Sequence, residues 1–166
     1  MENPKAVPIR IRPADDADAP FVFSTWLKSF SGQNKNLNRQ IVYEFEDDVV
    51  KDLLSTSITL LAVGNSVASA GDIYGFICGE RTADHLVIHY CYVKAPFRQF
   101  GVGRALLDAF DYRPGELIIH TYQGYIAKEL RKKGFSLLYV PYLRDPEMKP
   151  RWEKFYEGSK DNLEGR

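Results

Sequence analysis

Val7-Pro8-Ile9-Arg10-Ile11-Arg12 alternates apolar and polar side chains and then meets Pro13, the pattern of a first strand that ends there. Asp15, Asp16 and Asp18 follow, suited to cap a helix and complement its positive end, and Pro20 fits a first turn. Phe21, Val22, Trp26, Leu27 and Phe30 recur at helical spacing and predict an amphipathic helix to about Phe30. Ser31 to Arg39 is polar and turn-prone, and reads as a mobile surface loop. From about Gln40 to Ser55, Ile41, Phe45, Val49 and Leu53 fall four apart. They predict a second helix that turns Glu44, Glu46, Asp47, Asp48 and Asp52 to water.

Ile58 to Val63 is short, apolar and β-rich, and ends at Gly64-Asn65-Ser66. Ile73 to Glu80 and Leu86 to Val93 predict two more strands around a turn at Thr82-Ala83-Asp84, so the three form an antiparallel meander. Gly101 to Tyr112 carries Val102, Leu106, Leu107 and Phe110 at helical spacing and is broken by Pro114-Gly115. Leu117-Ile118-Ile119 begins a fifth strand, Tyr125 to Lys133 is a helix closed by Gly134, and Phe135 to Leu143 is a last strand. The order β-α-α-β-β-β-α-β-α-β predicts an α/β fold of the mixed-sheet, α+β kind. Residues 1–143 form its single domain. Residues 144–166 read as a charged tail in which Trp152, Phe155 and Tyr156 dock one short helix.

The chain of 166 residues suits one domain, and its 22 basic against 22 acidic residues carry no broad basic footprint, which argues against nucleic acid as partner. The zero sum is uneven: residues 41–57 hold five acids and one base, whereas Lys94, Arg98, Arg104, Lys128, Arg131, Lys132 and Lys133 gather in the second half. No apolar run is long enough for a membrane helix, and the N-terminus lacks a signal-peptide pattern. Cys78 and Cys91 lie in apolar runs, as buried thiols of a cytoplasmic protein do, and no metal site is expected.

One segment carries chemistry: Pro96-Phe97-Arg98-Gln99-Phe100-Gly101-Val102-Gly103-Arg104-Ala105-Leu106-Leu107, between a predicted strand and a predicted helix. Glycines at 101 and 103 allow unusual φ values and close backbone approach. Successive N–H groups and the helix's positive end can then face a phosphate, with Arg98 and Arg104 adding charge. Gly-x-Gly alone fits a tight strand-to-helix turn equally well. No P-loop pattern is present, and Leu106 stands where a dinucleotide fingerprint needs its third glycine.

Val93-x-x-Pro96-x-Arg98-x-x-Gly101-x-Gly103-x-x-Leu106-Leu107 resembles the acyl-coenzyme-A signature of the GNAT superfamily of N-acetyltransferases, whose core is [Gln/Arg]-x-x-Gly-x-[Gly/Ala]. Ile11-Arg12-Pro13-Ala14 resembles the family's usual opening and Lys133-Gly134-Phe135 its helix-to-strand Gly-Phe, so the resemblance covers about residues 9–143. Phe23 to Phe30 resembles GNAT proteins encoded by tailed phages. The resemblance implies acetyl-coenzyme A as cofactor, its pyrophosphate on the amides of Gln99, Phe100, Gly101, Val102, Gly103 and Arg104 beside Arg98. It also implies a bulge that splays the fourth strand from the fifth. Pantetheine enters that gap, and the thioester carbonyl meets main-chain N–H groups near Cys91 and Val93, donors that also stabilise an oxyanion.

Two positions depart from the family pattern. Gln123 stands where the family often has an Asn that contacts pantetheine. Leu130 stands where many members carry the Tyr that protonates the departing thiolate. Tyr125 lies about 140° around the helix from that position. A thiol with a pKa near about 8.5 can leave unprotonated, so the chemistry does not require that Tyr.

For the base, strand alternation puts His89, Cys91 and Val93 on one face and Tyr90 and Tyr92 on the other, unless the bulge resets the phase. His89 is the first candidate, a hydrogen-bonded sheet histidine being its other reading; His120 could flank the same cleft. Cys91 and Cys78 read as packing, and Trp26, Phe30 and the Tyr pair as core. The loop from Ser31 to Arg39 borders the acceptor cleft in the family, and the acidic second helix reads as a solvated face or as an attraction for a cationic amine. Three functions stand. The first is an N-acetyltransferase moving acetyl from acetyl-coenzyme A to a primary amine of a small molecule or peptide by direct attack. The second is a non-catalytic acyl-CoA-binding or interaction module, and the third an unrelated α+β binding domain. The oligomeric state, a homodimer included, stays open.

Overall fold

The computed structural model describes residues 7–152 and residue 154. Strands β1 (Ile9–Pro13), β2 (Ile58–Gly64), β3 (Ile73–Arg81), β4 (Leu86–Val93), β5 (Ile118–His120) and β6 (Leu137–Tyr139) lie side by side in chain order in one sheet. Helices α1 (Ala19–Gln33) and α2 (Arg39–Thr56) connect β1 to β2, α3 (Val102–Ala109) connects β4 to β5, and α4 (Tyr125–Lys132) connects β5 to β6. The β1–β4 pairings are antiparallel, and the two helical crossovers make β4–β5 and β5–β6 parallel. The predicted element order and mixed α/β class are those observed.

Each face of the sheet carries its own core. Val22, Trp26 and Leu27 of α1 and Val50 and Leu53 of α2 pack on Leu61, Val63, Phe76 and Tyr90, with Trp26 stacked on Tyr90 at 4.7 Å between centroids. On the other face Val102, Leu106 and Leu107 of α3, joined by Ile126 and Leu130 of α4, cover Ala62, Ile77, Ile88 and Ile118.

The register of α2 differs from the sequence pattern. Ile41 and Phe45 are 49% and 73% exposed, while Val42, Val50 and Leu53 are buried. A spacing of four drifts by about 40° per step around a helix of 3.6 residues per turn, so only the end of the 41-45-49-53 row meets the sheet. Glu46, expected to face water, is largely buried and pairs with Arg144. Helix α1 runs to Gln33, which shortens the expected loop to residues 34–38. There the Asn38 side chain caps α2 by accepting from the Gln40 N–H at 2.8 Å.

Strand β6 is three residues long and gives way to a single helical turn, Pro141–Arg144. Beyond residue 143, where the sequence reads as a tail, the chain stays on the body. Lys149 Nζ bonds Glu80 at 2.5 Å, and Trp152 packs against a cluster of Val87, Ile119, Val140 and Leu143. Phe155 and Tyr156 lie outside the described residues. Among the described residues no helix is long and apolar enough to cross a membrane.

Of two register shifts in the sheet, at Ala62/Val63 and at Cys78/Gly79, the second shapes the site. Cys78 pairs with Tyr90 but Gly79 with Ile88, which leaves His89 as the extra residue of a β-bulge in β4. Gly79 permits it, since a Cβ there would lie 2.4 Å from the Val87 carbonyl oxygen.

Leu53→Ala should cost about 2–5 kcal/mol of stability, whereas Phe45→Ser should change it by less than about 0.5 kcal/mol. Urea unfolding of both variants checks the register of α2; equal losses would contradict it.

Candidate functional site

Strands β4 and β5 pair only at Leu86–Ile118, Val87–Ile119 and Ile88–His120, and then part. The Thr121 N–H, donated to Ile88 O at 3.1 Å, closes the base of the gap. The Lys94 N–H is donated to Tyr74 O on β3 at 2.8 Å, so by strand alternation the N–H groups of Cys91 and Val93 point the other way, into the gap. A cavity of about 350 Å³ fills it, lined by Cys91 and Val93, the loop before α3 and the first turns of α4.

The loop is built for this approach. After a single helical turn at Ala95–Phe97, Gln99 (φ 67°) and Gly101 (φ 84°) adopt left-handed conformations on either side of Phe100. Gly101 caps α3, whose first bond runs from the Ala105 N–H to Gly101 O at 2.9 Å. The N–H groups of Val102, Gly103 and Arg104 are therefore the orphan donors of its first turn. Arg98 secures the loop: Nε donates to Val93 O at 3.1 Å, and its guanidinium lies 4.6 Å from the ring centroid of Tyr125 on α4. Arg104 pairs with Asp108 and lies over Tyr112. Gln99, Gly101, Val102, Gly103, Arg98 and Arg104 all line the cavity with Cys91 and Val93; Phe100 and Gln123 do not.

His89 borders the cavity at the base of the gap, but its side chain is fully buried. The bulge turns the ring away from Cys91 and Val93. Nδ1 is 3.1 Å from Thr121 Oγ1, and Nε2 is 3.5 Å from Glu80 Oε1. The His89 imidazole, and after it Lys149, hold the Glu80 carboxyl down at about 2 against the opposing effect of burial. Burial depresses the pKa of His120, whose Nε2 meets Arg131 at 3.2 Å and Nδ1 meets Tyr122 O at 3.0 Å. Arg131 can only donate, so the Nδ1–H is donated to Tyr122 O and the ring is neutral. Burial pushes the Cys91 thiol up to about 12, which leaves it a protonated thiol at neutral pH.

A second, polar cavity of about 520 Å³ opens beside the first, between the end of α1, the segment after β5 and α4. Tyr122 lines both cavities, its ring against Phe30 and Tyr90. Its buried hydroxyl has no partner among the described residues, and burial raises its pKa. Thr121 and Gln123 also line the second cavity. Sequence reading missed Glu80, Thr121 and Tyr122, since a lone Glu, Thr or Tyr near a strand end carries no spacing signal. Gly79 inside a strand was the one mark of the bulge.

Comparison with known proteins bears on the fold. No family model matches the sequence, and no curated protein matches it. Among solved structures, a provisionally assigned acetyl transferase from Pyrococcus furiosus superposes with a TM-score of 0.56 at 18% identity, covering 80% of this chain and 95% of the other. A protein described as histone acetyltransferase HPA2 and related acetyltransferase, from Corynebacterium glutamicum, gives 0.51 at 18% identity over 76% and 83%. A GCN5-related N-acetyltransferase from Rhodopseudomonas palustris gives 0.44 at 23% identity over 64% of each chain.

Unfolded, Glu80 titrates near 4.5; folded, at about 2. A depressed carboxyl contributes stability above its unfolded pKa and loses it as pH falls through the folded one. Glu80→Gln should therefore flatten the acid side of the stability curve between pH 4.5 and 2, relative to wild type, in urea unfolding. An unchanged slope would remove the coupling to His89 and Lys149.

Proposed function

We propose that this chain, which has the mixed α/β fold of the GNAT acetyltransferases, transfers acetyl from acetyl-coenzyme A to a primary amine. The observation that carries the reading is the gap between β4 and β5, with inward main-chain N–H groups on one wall and a loop of orphan amides at its mouth. The pyrophosphate sits on the amides of Gln99 to Arg104, with Arg98 and Arg104 as local countercharge. The thioester carbonyl accepts from the N–H groups of Cys91 and Val93, which hold its oxygen as negative charge develops. The acceptor enters from the second cavity, past Tyr122.

The acceptor nitrogen attacks the carbonyl carbon directly: the C–N bond forms, the C–S bond breaks and the sulfur leaves as thiolate. The nitrogen's proton passes to Thr121 Oγ1 as that hydroxyl gives its own to His89 Nδ1, with Glu80 behind Nε2. Gln123 reaches the acceptor side of the gap rather than the pantetheine side. Two free thiols suit a reducing, cytoplasmic setting. Leu130, an apolar side chain on the cavity wall, favours a second reading as a non-catalytic acyl-CoA-binding module.

Acetyl-coenzyme A at 100 times its Kd should add about 2.7 kcal/mol of stability. Gly101→Glu should abolish the gain by placing a carboxylate at the phosphate site. Gly101→Ala, which carries the same left-handed backbone strain without the charge, should retain it. A full thermal shift in the Glu variant would remove the site assignment. His89→Gln should lower kcat by roughly 10²-fold or more and leave coenzyme binding intact. A kcat matching wild type would dismiss His89 from proton transfer. Coenzyme binding without thiol release for any amine would select the second reading.

A further inference from the structure

The second cavity carries a charge pattern that identifies the kind of acceptor. Its charged lining residues, among those described, are Lys35, Lys128 and Arg144, all cations; no carboxylate lines it. Arg144 is already paired with Glu46. Lys35 and Lys128 make no ion pair with any described residue, and they reach the cavity from different elements: Lys35 from the α1–α2 connection, Lys128 from α4. The acids of α2 do not offset them. Glu46 is spent on Arg144, Asp47 is paired with Lys51, and none lines this cavity. Two ammonium groups with no ion-pair partner among the described residues, over a concave polar surface, make a positive potential that draws anions and repels polycations. The acid-rich stretch 41–57 therefore does not set the acceptor's charge, and a cationic amine is disfavoured.

We propose that the acceptor is a small primary amine that also bears a carboxylate or phosphate group. Its anionic end rests on Lys35 and Lys128, and its nitrogen lies at Thr121 beside Tyr122, the residue common to both cavities. This rests on the acetyl-transfer reading above and narrows its substrate class.

The test uses the full chain with acetyl-coenzyme A and matched acceptor pairs: α-amino acids against their amides and decarboxylated amines, and ethanolamine phosphate against ethanolamine. Thiol release should show kcat/KM about tenfold or more higher for the anionic member, the return of one charge-assisted contact. The better of the two acids separates carboxylate from phosphate recognition. The preference should shrink in high salt and vanish in Lys35→Glu/Lys128→Glu, while the thermal shift with acetyl-coenzyme A stays at the wild-type value. Equal or higher kcat/KM for the uncharged or cationic members overturns the proposal. Calorimetry of succinate and inorganic phosphate with the coenzyme-A-bound chain separates this failure from failure of the transfer reading. Binding lost in the double variant but without turnover of any amine supports the anion site and removes the transferase. Neither binding nor turnover overturns the anion site as well.

Discussion

The parting of β4 from β5 is the constraint on which the rest of the structure depends. Three residue pairs hold the strands together, and one extra residue, His89, is absorbed where they separate. A buried strand edge without a partner leaves main-chain donors exposed to the protein interior, which is costly unless something accepts from them. Here the unpaired edge faces a cavity instead of packed side chains, so a fault in the ladder becomes a row of aligned donors. The bulge also rotates the His89 ring to the far side of the sheet, against Thr121 and Glu80.

The elements were legible in the sequence because their signals are local. Alternation marked the meander, Gly-x-Gly after a strand marked the loop, and Gly134, at φ 81°, closed α4 as its position predicts. What escaped was decided by partners distant in the chain. Glu46, expected to face water, is turned to a partner 98 residues away, Arg144. The alternation of β4 put His89 beside Cys91, and one inserted residue reversed that. The Glu80, His89 and Thr121 row joins residues of β3, β4 and the segment after β5 across 41 residues of chain, a spacing with no motif behind it.

Composition marks the C-terminal segment as charged but does not say where its charges go. Among its described residues two charges are ties, Arg144 to α2 and Lys149 to β3, and Trp152 packs on an apolar cluster. These ties also partition charge. Glu46 is held by Arg144, and no described carboxylate lines the second cavity beside Lys35 and Lys128. Neutrality of the whole chain is the sum of two oppositely biased regions.

Arg98 links the two lips of the gap. Bonded to Val93 at the end of β4 and lying on Tyr125 at the start of α4, it spans the opening from one wall to the other. Such a brace fixes the width of the cleft before any ligand arrives. The conformational entropy of ordering the walls is then lost during folding rather than at the moment of binding, so a ligand's contacts register more fully as affinity.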